Sequence, residues 1–81
     1  MSPLKRVRFT FLDRLIKEPV IYRMSHDFNV ITNIRRADVQ EGVGWVILEL
    51  EGEILEIERS LEWVRSIGVR VDPTLGDLVE P

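Results

Sequence analysis

The residues best suited to chemistry are Asn33, Arg35 and Arg36, which interrupt a stretch rich in β-branched residues at positions 30–39. Asn is disfavoured in the middle of a strand, and its side-chain amide offers both a donor and an acceptor to an amino-acid ligand. A guanidinium group can bind a carboxylate through two parallel hydrogen bonds. The stretch therefore predicts a site for a small ligand that carries a carboxylate.

The same three residues also fit a purely structural role. Asn33 could occupy a bulge or cap a turn. The arginines could lie on a solvated edge or pair across strands with Glu49 or Glu51. Both interpretations stay open at the level of the sequence.

The residue types do not support a metal site, a redox centre or a catalytic site. The sequence contains no Cys, which excludes disulfides, thiolate metal sites and iron–sulfur clusters on these residues. Its single histidine, His26, has no HxxxH partner, and there is no P-loop, GxGxxG or Ser/His/Asp set. The glutamates near position 50 alternate across a strand end and an amphipathic helix, which is typical of a solvated face. We expect no catalytic residue, no metal, no cofactor and no enzymatic activity.

Size and composition predict one domain over residues 1–81, with residues 73–81 as a tail. The 81 residues are 44% hydrophobic, which is enough to form a core without disulfide bonds or a structural metal. No uncharged run approaches the roughly 20 residues that cross a bilayer, and the first residues lack the apolar run of a signal peptide. We expect a soluble cytoplasmic protein.

Charge is distributed unevenly along the chain. Residues 1–40 carry eight Lys or Arg and four Asp or Glu, whereas residues 41–81 carry three and ten, within a net charge of −3. The basic first half and the acidic second half should attract each other, either within one fold or between two copies of the chain. The acidic total argues against a general polyanion binder.

Hydrophobic periodicity predicts two helices and four strands. Residues 5–11 alternate apolar and basic, as a half-buried strand does. A helix at 19–28 begins at Pro19 and has Asn29 as a left-handed stop, and a second helix begins near Ile54 and stops at Gly68. The remaining strands are expected at 30–39, 45–51 and 69–71, with a glycine-containing hairpin between the first two. The inward face of the strand at 30–39 cannot be fixed by alternation.

The order βαββαβ predicts an α+β ferredoxin-like sandwich. In that fold, a four-stranded antiparallel sheet carries both helices on one face, and the other face stays open. The open face would present Arg6, Arg8, Trp45 and Ile47, with Asn33 or Arg35. Apolar groups on an open face usually mark an interface, so we assign Arg8, Trp45 and Ile47 to an interface, with a homodimer as the leading partner.

The segment from Phe28 to Ile34, followed by an apolar strand that ends in Leu50, Glu51 and Gly52, resembles the NIL domain over nearly the whole chain. That domain is a regulatory module of methionine importers that pairs as a dimer and binds methionine. Its signature is Asn, Ile, Leu on the second strand. Asn33 and Ile34 match the signature, and Arg35 stands at the Leu position. The resemblance implies ligand binding at Asn33, Ile34 and Arg35, with a sulfur amino acid such as methionine as the ligand.

Two further segments resemble the branch of this family that precedes a two-cluster ferredoxin module. They are Asn33 to Ala37 and Gly76 to Val79. Those relatives are associated with sulfur assimilation. Because this sequence has no Cys, the resemblance implies that any redox role would come through a separate ferredoxin-like or sulfur-metabolism protein.

RNA recognition motifs share the βαββαβ order and also use the open face. Residues 41–48 partly follow their third-strand motif, with Gly42, Gly44 and Trp45 in place. Glu41 stands where a basic residue belongs, and Val43 and Leu48 replace two stacking aromatics. Single-stranded RNA binding is therefore the alternative to amino-acid sensing, and the acidic composition makes nucleic acid the less favoured partner.

Overall fold

The structure, a computed structural model, describes residues 3–12, 19–40 and 42–74. The elements follow the order β1, α1, β2, β3, α2, β4. Their bounds are β1 Leu4–Leu12, α1 Val20–Asp27, β2 Ile31–Gln40, β3 Val43–Glu51, α2 Ile54–Ser66 and β4 Arg70–Pro73. The strands form one sheet in the order β2-β3-β1-β4, with every neighbouring pair antiparallel. The predicted ferredoxin-like arrangement is confirmed.

The core lies between the two helices and one face of the sheet. Alternation in β1 and β3 sends every second side chain to this side, which buries residues such as Phe9 and Leu48 completely. Each such side chain adds about 1.5–3 kcal/mol of hydrophobic stabilisation. The buried apolar residues are Val7, Phe9, Val20, Met24, Val30, Val46, Leu48, Leu50, Ile57, Leu61, Val64 and Val69.

Helix α2 buries one stripe and hydrogen-bonds its one buried polar side chain internally. Ile57, Leu61 and Val64 face the sheet, and the Ser60 hydroxyl donates to the Ile57 carbonyl at 2.7 Å. The helix is followed by Gly68 at φ 100°, as predicted. Ile54, where the helix was expected to begin, is its first residue and is 62% exposed at the end of the core.

Helix α1 ends differently from the prediction. Asn29 was expected in a left-handed conformation, but no described residue other than glycine has a positive φ. The helix stops instead at Phe28, whose backbone is extended (φ −126°, ψ 153°). The Phe28 ring packs against Trp63 of α2 at 6.0 Å between centroids, so a tertiary contact accompanies this stop.

The connection from β3 to α2 needs a glycine at its first residue. A Cβ atom on Gly52 would lie 2.9 Å from the Asn29 carbonyl oxygen, closer than side chains tolerate. This approach joins the start of β2 to the start of α2. Asn29 also donates its backbone N–H to the Glu56 carboxylate at 3.0 Å.

Two boundaries differ from the expectation. β3 begins at Val43, two residues before Trp45, because the hairpin pairs Gln40 directly with Val43. Pro73, the first residue of the predicted tail, ends β4 and pairs with Val7. The rest of that tail beyond Thr74 lies outside the described residues.

Candidate functional site on the open face

The open face is the side of the sheet away from the helices. Antiparallel register lines up its side chains in rows that run across β1, β3 and β2. The central rows are Arg6, Glu49 and Asn33, then Arg8, Ile47 and Arg36, then Thr10, Trp45 and Asp38. Charged, amide and apolar groups therefore alternate over a short distance, an arrangement that suits a ligand with both polar and apolar parts.

Glu49 is the centre of the first row. The Arg6 guanidinium donates to Glu49 Oε2 from Nη2 at 2.5 Å and from Nε at 3.2 Å. The hydrogen bond from Arg6 is the main reason that the pKa of Glu49 is lowered, and partial desolvation opposes it. The charges of Arg6 and Arg35 and a side-chain hydrogen bond from Asn33 lower this pKa further. Glu49 is thus an ionised carboxylate at neutral pH.

The next two rows hold the apolar part of the face. Ile47 lies between Arg8 and Arg36, and Trp45 lies between Thr10 and Asp38. Both apolar side chains are half-buried by these neighbours. They are the groups against which an aliphatic or thioether chain could pack.

The arginines of β1 already have acidic partners. Arg8 lies 3.9 Å from the Asp72 carboxylate, which also accepts from Arg70 Nε at 2.9 Å. Arg6 is held by Glu49. Arg6 and Arg8 thus each face an acidic side chain of the same domain.

The three predicted ligand residues do not all share one face. Asn33 lies on the open face beside Glu49. Arg35 is the extra residue of a β-bulge between Ile34 and Arg36, and its charge acts on Glu49. Ile34 pairs with Leu48, which puts it on the helix side, where it is 54% exposed. The structure thus brings Asn33 and Arg35 together and leaves Ile34 on the opposite side.

The predicted interface residues Arg8, Trp45 and Ile47 all lie on the open face, in two neighbouring rows. From the sequence, Glu49 was named only as a possible cross-strand partner of Arg35 or Arg36, and it was otherwise counted with the glutamates of a solvated face. Its role becomes visible only when the strand register sets it between Arg6 and Asn33. The sequence did hold one signal for this pair, because Arg6 and Glu49 each occupy an open-face position in the alternating pattern of their strands.

Within residues 3–12, 19–40 and 42–74, no group of three or more His, Cys, Asp or Glu side chains could hold a metal ion. No helix in those ranges has the length and apolar character needed to span a membrane.

Comparison with known proteins gives a family and two relatives. The family model for the NIL domain matches residues 5–73. The methionine import ATP-binding proteins MetN of Helicobacter pylori and Helicobacter acinonychis are each 26% identical to this chain over 69 residues. The match covers 80% of this chain and 21% of each relative, so the chain spans about a fifth of their length.

Solved structures show the same fold. The C-terminal domain of an ABC transporter ATP-binding protein from Enterococcus faecalis superposes with a TM-score of 0.74 at 24% identity, covering 88% of this chain and 83% of that domain. A de novo designed protein, Ferredog-Diesel, superposes with a TM-score of 0.52 at 17% identity, covering 89% of this chain and 86% of the design.

Proposed function

Because this chain belongs to the NIL domain family, we propose that it is a non-enzymatic regulatory module that binds a sulfur amino acid such as methionine. The observation that carries the proposal is the match to methionine import ATP-binding proteins over residues of this domain alone. The sequence has no P-loop. What it shares with those proteins is therefore a domain separate from nucleotide binding.

The first row of the open face supplies groups suited to an amino-acid backbone. An α-ammonium group needs an acceptor, and the ionised Glu49 is one. An α-carboxylate needs donors, which the Asn33 amide and the Arg35 guanidinium offer. In this proposal the ligand takes over the Asn33 hydrogen bond that now goes to Glu49, and its side chain extends toward Ile47 and Trp45.

A flat sheet face provides only one wall of such a site. Small-molecule sites usually bury most of the ligand surface, so a second surface must close over the open face or its edge. A second copy of the chain could supply that surface without any other protein, and a homodimer is therefore part of the proposal. A ferredoxin-like or sulfur-metabolism protein that docks on Trp45 and Ile47 is the other occupant that we envisage.

Isothermal titration calorimetry with L-methionine tests the ligand assignment. Asn33→Ala removes one hydrogen bond to a charged group, and we expect affinity to fall about tenfold or more, which corresponds to about 1.4 kcal/mol. Gln40→Ala is the matched control, because Gln40 is on the same strand but hydrogen-bonds Asp38, away from Glu49. Equal affinity in wild type and Asn33→Ala would remove Asn33 from the site, and no heat with wild type would reject methionine as the ligand.

Single-stranded RNA remains the second candidate because of the shared fold and the half-buried Trp45 on the open face. Trp45 is the one aromatic residue on the open face in the described ranges, whereas RNA recognition motifs stack two or three bases on aromatics. RNA binding would weaken steeply with added salt and would fall in Arg8→Glu. Salt-independent behaviour would exclude it.

A further inference from the structure

The open face is longer than the amino-acid site that we place on it. Its positions on β3 include Glu49, Ile47 and Trp45, which are two residues apart on the same side of the sheet. A strand rises about 3.3 Å per residue, so Trp45 lies about 13 Å from Glu49 along β3, and Ile47 lies about halfway between them. The four bonds from the α-carbon of methionine to its methyl group extend at most about 6 Å. Methionine bound at Glu49 therefore ends near Ile47 and leaves Trp45 uncovered.

The uncovered row offers an aromatic side chain on which a base could stack. The row consists of Thr10, Trp45 and Asp38, one residue from each of three neighbouring strands. Trp45 is half-buried, so part of its side chain stays accessible to a ligand. Nucleic-acid bases stack on such aromatic side chains. A single aromatic residue suits one base, and therefore a single nucleoside, better than it suits a strand of RNA.

Asp38 supplies an acceptor for the sugar of that nucleoside. The pairing of β2 with β3 sets its carboxylate beside Trp45, where it accepts a hydrogen bond from Gln40 Nε2 at 2.8 Å. In the described ranges, no Lys or Arg forms an ion pair with Asp38. A carboxylate has room for further donors, and acidic residues bind ribose hydroxyls in dinucleotide-binding folds. The negative charge of Asp38 also disfavours a phosphate here, which selects a nucleoside over a nucleotide.

Gln40 adds a means of recognising the base. Its exposed side chain uses one amide N–H for Asp38. The second N–H and the carbonyl oxygen form a neighbouring donor and acceptor, the pair that glutamine presents to adenine. Gln40 is a diagonal neighbour of Trp45 across β2 and β3. Such neighbours lie about 7–8 Å apart, within reach of a base that stacks on the indole ring.

From these groups we propose that Trp45, Asp38 and Gln40 form a nucleoside subsite, and that the open face binds a sulfur amino acid whose thioether carries an adenosyl group. The proposal rests on the amino-acid site of the proposed function and names the class of ligand that the site takes. The amino-acid end of this ligand occupies the first row, its sulfur lies over Ile47, and its ribose and base continue along β3 to Trp45.

Isothermal titration calorimetry with three compounds tests the subsite. S-adenosyl-L-homocysteine carries both ends of the proposed ligand, L-methionine carries the amino-acid end, and methylthioadenosine carries the nucleoside end. We expect wild type to bind S-adenosyl-L-homocysteine at least about tenfold more tightly than L-methionine, because a stacked base adds about this factor. We expect a similar advantage over methylthioadenosine, which lacks the charged groups that the first row binds.

Two variants separate the subsite from the amino-acid site. Asp38→Asn keeps the size of the side chain and removes its charge, so it should lower the affinity for S-adenosyl-L-homocysteine about fivefold or more and leave that for L-methionine unchanged. Trp45→Leu should lower the first affinity more than the second. Asp72→Asn is the matched control, because it makes the same charge change on β4, at the opposite edge of the sheet from β2. It should alter neither affinity, and circular dichroism verifies that each variant is folded.

The possible outcomes distinguish this proposal from the proposed function. The subsite alone is rejected if wild type binds L-methionine as tightly as S-adenosyl-L-homocysteine, or if Asp38→Asn lowers both affinities alike. Equal affinity for methylthioadenosine and S-adenosyl-L-homocysteine would reject the amino-acid site and leave the nucleoside subsite. No heat with any of the three compounds would reject both. Tighter binding of single-stranded RNA than of S-adenosyl-L-homocysteine would overturn the small-molecule ligand in favour of RNA.

Discussion

The two faces of β3 place neighbouring residues in opposite environments. Leu48 and Leu50 point to the helices and are fully buried, whereas Ile47 and Glu49 point to the open face and keep part of their surface in solvent. On the helix side the contacts are apolar and serve stability. On the open side lie an ion pair, an amide and two apolar groups, the groups to which we assign the proposed ligand. Folding and the proposed recognition thus involve alternate residues of a single strand.

The largest effect that separates the faces is expected from Leu48→Ala. The side chain is fully buried between β2, β1 and the helices, and its truncation leaves a cavity. We expect the free energy of unfolding to fall by about 2–5 kcal/mol, measured by urea denaturation. A loss under about 1 kcal/mol would show that the core closes over the gap or that Leu48 is not central to it.

A second difference between the faces concerns pH. The pKa of Glu49 is lowered in the folded protein, mainly by the Arg6 hydrogen bond. The unfolded chain therefore binds this proton more tightly, so ionised Glu49 contributes stability above its ordinary pKa of 4.5, and this contribution is lost as pH falls through the folded pKa.

Carbon-detected NMR titration of the Glu49 carboxyl group measures this directly. We expect Arg6→Met to move the pKa of Glu49 up toward its ordinary value. Lys5→Met is the matched control, because Lys5 is next in sequence but pairs with Glu58 of α2 at 3.1 Å. An unchanged Glu49 pKa in Arg6→Met would contradict the assigned cause.

The smallest effect on stability is expected from Ile47→Ala, one residue before Leu48. Because Ile47 is half-buried on a face without a covering layer, we expect a loss of less than about 1 kcal/mol in the same urea experiment. In the same variant, we expect the free energy of methionine binding to weaken by more than the free energy of unfolding falls. A loss as large as that of Leu48→Ala would place Ile47 in the folding core and break the comparison.

The sequence predicted most of the fold because its strongest patterns are local. Alternation in β1 and β3 and the apolar stripe of α2 each identify one element and its buried face. The face of β2 could not be assigned in this way, because the bulge at Arg35 adds a residue and shifts the alternation after Ile34. Asn29 was misjudged because α1 ends at an extended Phe28 that packs against Trp63, a contact between distant residues.

The candidate site was predictable only in part for a related reason. Asn33, Trp45 and Ile47 stand out by residue type within a strand. Glu49 gains its position from residues on two other strands, Arg6 and Asn33, which lie 43 and 16 positions away in sequence. Cross-strand register depends on the hairpin and on the bulge. The residue types do not show at which residue either of them lies.

A backbone amide chemical-shift titration with L-methionine tests most directly whether the open face of β2 and β3 senses a sulfur amino acid, as we propose. We expect saturable shifts that cluster at Asn33, Arg35, Ile47 and Glu49, with little change along the outer surfaces of α1 and α2. Shifts confined to the helices, or a flat titration at millimolar methionine, would contradict it.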